Sequence, residues 1–115
     1  MLAAVNAERQ RNGLAPLVIN AQLMSAAQKH SDFQQQTQKM SHTGQGGSQV
    51  WDRVKAEGFN YRMVGENVAA GQADIASVMS SWMNSEGHRK NILTGEFTAL
   101  GWGKSGAYWT QVLAA

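Results

Sequence analysis

From residue 1 to residue 58 the sequence reads as helices separated by glycine-containing breaks, and strand-like segments come only afterwards. That order limits the folds open to the chain more than any composition figure does. Alternating β-α-β units are absent, so a doubly wound dinucleotide fold is not supported. Helices followed by a strand, a helix and a terminal hairpin point instead to an α+β arrangement of helices on a small, mostly antiparallel sheet. In the first helix Leu2 and Val5 mark the apolar face, Gly13 after Asn12 supplies a left-handed stop, and Pro16 prevents a restart. Asn20 fits an N-cap, with Ile19 and Met24 placed for a hydrophobic staple, and Leu23, Ala27, His30 and Phe33 follow at helical spacing. The glutamines from 34 to 38 are expected at the exposed end of that helix.

"TGQGGSQ" reads as a loop, and "VWDRVKAEGF" as a short helix with Val50, Trp51 and Val54 inward and Gly58 as its stop. The glycine-rich "YRMVGENVAAG" is expected as a strand or extended turn. Ile75, Val78, Met79, Trp82 and Met83 form the strongest periodic stripe in the chain, capped by Asp74. "SEGHRKNIL" then connects to two strands, "TALGWGKS" and "AYWTQVLA", joined through Ser105 and Gly106.

At 115 residues the whole chain, 1–115, is expected to be one domain around one core. It contains no cysteine, which removes thiolate metal sites and thiol nucleophiles and leaves stability to packing. The net charge is +2, and Arg9 and Arg11 beside Glu8 read as a solvated helix face rather than a nucleic-acid footprint. No apolar run approaches the ~20 residues that span a bilayer. The chain opens inside a helical pattern without a signal-peptide profile, so the expectation is an excised domain whose leader or anchor lies outside it. Nothing in the pattern requires more than a monomer.

His42 and His88 each sit where a helix gives way to a loop, and Glu66 lies in a glycine-flanked turn. Two imidazoles and a carboxylate can perform acid-base work or hold a divalent ion such as zinc with an open position. No local zinc spacing such as H-E-x-x-H occurs, and periodicity alone favours the simpler reading in which His42 and Glu66 bond only to backbone groups in tight turns. Mid-helix His30 reads as a core or boundary residue. Ser41 and Ser105 lack the G-x-S-x-G elbow of a serine nucleophile, and "GQGGS" lacks the ending of a phosphate loop. Trp82 reads as core, whereas Trp102 and Trp109 lie in strands whose second face could be open.

"MSHTG", "GENVAAG", "WMNSEGHRKNIL", "FTALGWGKSG" and "YWTQVL", in this order, resemble the bacterial branch of the CAP superfamily, the SCP or pathogenesis-related-1 domain. The resemblance runs from "VNAERQRNGLAPL" to the C-terminus. It implies an α-β-α sandwich with a central cleft, in a secreted or surface-attached protein. The family's cleft carries two histidines and two acidic residues, and in several members the histidines bind a divalent metal. His42 matches the first histidine, and Glu66, followed by Asn67, matches the G-E-N motif. At the second acidic position Trp82 leads to Ser85, with Glu86 one place later. The second histidine of eukaryotic members falls at Tyr108, whereas the bacterial Gly-His-Arg pattern is met by Gly87, His88 and Arg89.

Three functions follow as alternatives. The first is a cleft that binds a lipid, peptide or cell-envelope ligand through His42, Glu66 and His88. The second is a hydrolase in which a metal on His42 and His88 activates water with Glu66 as base. In the third, the domain is a structural cell-wall module and the same residues only stabilise turns.

Overall fold

The computed structural model describes all 115 residues. In chain order the elements are α1 Leu2–Arg11, β1 Val18–Ile19, α2 Ala21–Thr37, α3 Val50–Ala56, β2 Val64–Ala70, α4 Ile75–Met83, α5 Glu86–Ile92, β3 Ala99–Ser105 and β4 Tyr108–Ala114, with a 3₁₀ turn at Gln45–Gly47 before α3. One sheet carries the strands in the order β1-β3-β4-β2. β4 pairs antiparallel with β3 and β2, and the two-residue β1 adds a parallel edge to β3.

Both faces of the sheet are covered. On one face α2 and α3 pack Leu23, Ala26, Ala27, Val50 and Val54 against Ala99, Val112 and Ala114. The contact is close because β3 carries glycines there: a Cβ at Gly101 would lie 2.2 Å from the Leu23 carbonyl carbon, and one at Gly103 2.5 Å from the Gln28 Cα. On the other face Val5, Met79, Trp82 and Ile92 from α1, α4 and α5 meet Leu100, Trp109 and Leu113. The molecule is therefore the α-β-α sandwich expected, with α2 and α3 in one helical layer and α1, α4 and α5 in the other.

Local signals explain most boundaries. Asn20 caps α2 by accepting from the Leu23 amide (3.0 Å), Asp74 caps α4 by accepting from that of Ser77 (2.8 Å), and Gly13 takes φ +71° past the end of α1. The α4 stripe lands as read, with Val78, Met79 and Trp82 buried.

Several expectations are corrected. "SEGHRKNIL" forms a helix, α5, hidden in the sequence by Gly87 in its first turn and a polar exposed side. Arg9 is fully buried rather than solvated, donating to the carbonyls of Ala15, Ile92, Thr94 and Phe97 and so closing the end of α5. Gln34 is also fully buried, on the stripe that runs through Ala27 and His30. Trp51 is 48% exposed while its neighbours Val50 and Val54 face the sheet. Trp109 is buried and stacks on the partly covered Trp102 with centroids 6.3 Å apart, so that face of the hairpin is not open.

Candidate functional site

The site forms at the outer edge of β2, the strand at the end of the sheet. Successive side chains of a strand point to opposite faces, so Glu66 turns toward the α2–α3 layer and Asn67 toward α5. Gly65 before them admits Asn91: a Cβ there would lie 3.1 Å from Asn91 Oδ1 and 3.2 Å from the Phe97 ring. The glycine, glutamate and asparagine of this segment thus have separate duties at one strand edge.

On the first face the Glu66 carboxylate is buried, with both oxygens engaged. His42 Nδ1 donates to Oε1 at 2.9 Å, and Arg53 Nη2 donates to Oε2 at 2.6 Å. Arg53 also donates to the His42 carbonyl (3.0 Å) and, through Nη1, to the Ser48 carbonyl (2.7 Å), locking the loop to α3. The glycine of "SHTG" leaves room for this arginine, because a Cβ at Gly44 would come within 2.8 Å of Arg53 Nη1 and 2.7 Å of Ser48 Oγ. Ser41, directly before His42, is gripped from α2: His30 Nε2–H donates to its carbonyl (2.6 Å), and its amide donates to Gln34 Oε1 (3.1 Å). Gln34 is in turn tied to Thr110 on β4 (3.0 Å).

On the second face Asn67 donates to the His88 carbonyl (3.1 Å) and to Gln111 Oε1 (2.9 Å), and Asn91 donates to Asn67 Oδ1 (2.9 Å). His88 Nδ1 lies 2.9 Å from Ser85 Oγ. Asn91 and Trp82 also donate to the backbone carbonyls of Glu66 and Val68, each at 3.2 Å, covering groups that an edge strand would leave open.

The three imidazoles are tuned differently. The hydrogen bond to Glu66 raises His42 above the ordinary value, against burial and the nearby Arg53 cation. Burial lowers His88, and the charge of His42 lowers it further, so the two rings sense each other across the strand edge. Burial also lowers His30; with Nε2–H spent on Ser41, its Nδ1 is a bare acceptor and has no hydrogen-bond partner. Such an unmatched buried group costs about 1–3 kcal/mol.

Of the residues singled out from sequence, His42 and Glu66 are joined directly, and Ser85, His88 and Asn67 are linked beside them. Glu86 and Arg89 are exposed on α5 and line a groove with Met83 and Lys90, apart from the Glu66 carboxylate. Tyr108 pairs with Ala70, while Glu66 pairs with Val112. That separation of four residues along the ladder is roughly 13 Å, so Tyr108 does not reach the pair. Arg53, Gln34 and Asn91 are not singled out by the sequence, although Arg53 neighbours the inward Val54 and Gln34 continues the spacing of Ala27 and His30; His30 lies buried as read.

A divalent metal fits these residues poorly. No group of three His, Asp or Glu side chains converges, and Glu66 is occupied by Arg53 and His42. The uncommitted donors are Nε2 of His42 and Nε2 of His88, short of the three protein ligands of a catalytic zinc site. No helix is long and apolar enough to cross a membrane.

The fold recurs in known proteins. Residues 2–113 match the family model described as the cysteine-rich secretory protein family, or CAP. The chain is 43% identical over 108 residues to YkwD of Bacillus subtilis, covering 92% of this chain and 42% of that one. It is 32% identical over 111 residues to the Bacillus subtilis membrane protein YlbC, covering 96% of this chain and 32% of that one. An extracellular SCP-domain protein of Bacillus anthracis superposes with a TM-score of 0.92 at 33% identity, over 96% of this chain and 37% of that one. An outer surface protein of Borrelia burgdorferi shares the fold with a TM-score of 0.89 at 16% identity, over 98% of this chain and 87% of that one. The chain thus spans less than half the length of the Bacillus relatives. Although it contains no cysteine, this chain belongs to the bacterial branch of the CAP, or cysteine-rich secretory protein, family.

Proposed function

We propose that the edge of β2 is a recognition site, at which His42 and His88 present their Nε2 atoms to an oxygen-bearing group of a peptide, lipid or cell-envelope ligand. The observation that carries this reading is the full engagement of Glu66. With one carboxylate oxygen on His42 and the other on Arg53, it holds His42 in one orientation with no oxygen left as a general base. The bond to Glu66 favours the protonated imidazole, whose Nε2–H donates to a carbonyl, carboxylate or phosphate oxygen. The ring's side chain is 57% exposed, which leaves it accessible to a large partner. The extracellular and outer-surface descriptions of the structural relatives support a place outside the cell or on its envelope.

The test is a titration of the wild type and His42→Ala with short peptides, phosphatidylglycerol vesicles and soluble cell-wall fragments. Saturable binding to one of them, lost in His42→Ala while the melting transition is kept, is the expected outcome. Binding that is equal in the two proteins contradicts the reading. Tight zinc binding lost in both His42→Ala and His88→Ala, with metal-dependent turnover, moves the assignment to the hydrolase. Substitutions that lower only the melting temperature move it to the structural module.

A further inference from the structure

Glu86 and Arg89, which stand apart from the strand edge, belong to a groove of their own between the end of α4 and α5. The groove is open, has a volume of about 710 Å³ and is lined by Met83, Asn84, Glu86, Arg89, Lys90 and Leu93. That lies within the roughly 300–1,000 Å³ of sites that hold small ligands. None of these side chains bonds to Glu66 or to its partners His42 and Arg53. Asn84, Glu86, Arg89 and Lys90 are exposed, so a ligand reaches them without any rearrangement of the chain.

Three kinds of group meet there. Arg89 and Lys90 lie in the last turn of α5, where the helix dipole favours cations, and neither forms an ion pair. Glu86, one turn earlier, is unpaired as well, so two cations stand against one carboxylate and the groove favours an anion. Met83 and Leu93 pack on the core with part of their surface open, which supplies an apolar floor. Asn84 spends its Nδ2 on the Ser80 carbonyl at 2.8 Å, and its Oδ1 is an acceptor with no donor from the protein.

An inorganic anion uses only the cations, and a fatty acid leaves Asn84 Oδ1 without a donor. The last residue of a peptide uses all three kinds of group. Its carboxylate suits the planar fork of Arg89 with Lys90 beside it, its side chain rests on Met83 and Leu93, and its amide N–H donates to Asn84 Oδ1. The residues before it also have a path. A second groove of about 410 Å³ runs between α1 and α4, shares Met83 and Asn84 with the first, and is floored by Ala4, Ala7 and Ala76. Its charged residues, Glu8 and Arg11, are already paired with each other, so that stretch makes no demand on the charge of the chain lying in it.

We propose that the α4–α5 groove binds the free C-terminus of a peptide that ends in an apolar residue, with the carboxylate on Arg89 and Lys90 and the last side chain on Met83 and Leu93. The experiment is a methyl and amide NMR titration of the whole chain with N-acetyl-alanyl-leucine, with the same peptide amidated at its C-terminus, and with octanoate. N-acetyl-alanyl-leucine is expected to saturate on the order of 1 mM and to shift the Met83 and Leu93 methyl signals and the Asn84 side-chain amide. Amidation of the peptide and Arg89→Gln should each weaken binding by about tenfold. Glu86→Gln removes the opposing carboxylate and should tighten binding about twofold. Both substitutions are at exposed positions, so the fold is kept. His42→Ala should bind the peptide as the wild type does, which separates this groove from the strand edge. Absence of saturation, equal binding of the amidated peptide, octanoate binding as tightly as the peptide, unchanged binding in Arg89→Gln, or loss of binding in His42→Ala overturns the proposal.

Discussion

At the scale of single residues, the site rests on how one buried carboxylate is compensated. Glu66 has both oxygens bonded, and its Arg53 partner is nearly as enclosed, with side-chain exposures of 2% and 11%. Removing one member of such a pair leaves an uncompensated buried charge, a loss of about 3–5 kcal/mol. Arg53→Met should therefore unfold in denaturant at a stability lower by that amount. Arg53→Lys should not restore it, because a single ammonium cannot reach Glu66, the His42 carbonyl and Ser48 together. A change below ~1 kcal/mol in Arg53→Met would contradict this role. His42→Ala is milder, about 1 kcal/mol, because the imidazole is largely exposed and water can replace it. His42 and Glu66 were legible in sequence because glycines flank them and mark close backbone approach. Arg9, Gln34 and Arg53 were not, because polarity was read as exposure. Each lies on an apolar stripe, one helical turn from Val5, next to His30's layer, and beside Val54 respectively, and the periodicity was the better guide.

At the scale of elements, the fold brings α2 and the edge of β2 into register by removing side chains from β3. Gly101→Ala would place a methyl within 2.2 Å of the α2 backbone, where nothing flexible can give way. Overpacking of this kind costs about 3 kcal/mol or more, and the variant should melt well below the wild type in calorimetry. An alanine tolerated at Gly101 would mean that α2 does not lie so close. Gly44→Ala differs, since its close neighbours are the ends of Ser48 and Arg53. The chain should stay folded while Arg53 shifts, and the His42 resonance should then titrate higher still, because the Arg53 cation opposes its raised value. The terminal hairpin and the α4 stripe were readable because their periods are strict and unbroken. β1 was too short to show any period, and α5 carries Gly87 and a polar exposed side, so its helical state comes from Arg9 closing its end and Asn67 holding its His88 carbonyl.

At the scale of the whole molecule, the three histidines give the protein opposing pH responses. His30 and His88 have depressed values, so the stability they contribute is present above about 6.5 and is lost as the pH falls from there through their folded values. His42 has a raised value, so its contribution is complete below about 6.5 and is lost as the pH rises through its folded value. Two groups against one predict that stability in urea declines more steeply on the acid side of neutrality than on the alkaline side. The antiparallel part of the sheet and the placing of helices on it followed from element order. The division of helices between two layers followed only from the family resemblance, because no local pattern says which face a helix covers. The claim that Glu66 joins the "SHTG" loop to the strand edge is tested most directly by NMR titration of the three histidines in the wild type and in Glu66→Gln. His42 should titrate above about 6.5, with His30 and His88 below it, and Glu66→Gln should bring His42 down toward the ordinary value. A His42 that titrates at the same pH in both proteins would show that no such bond exists.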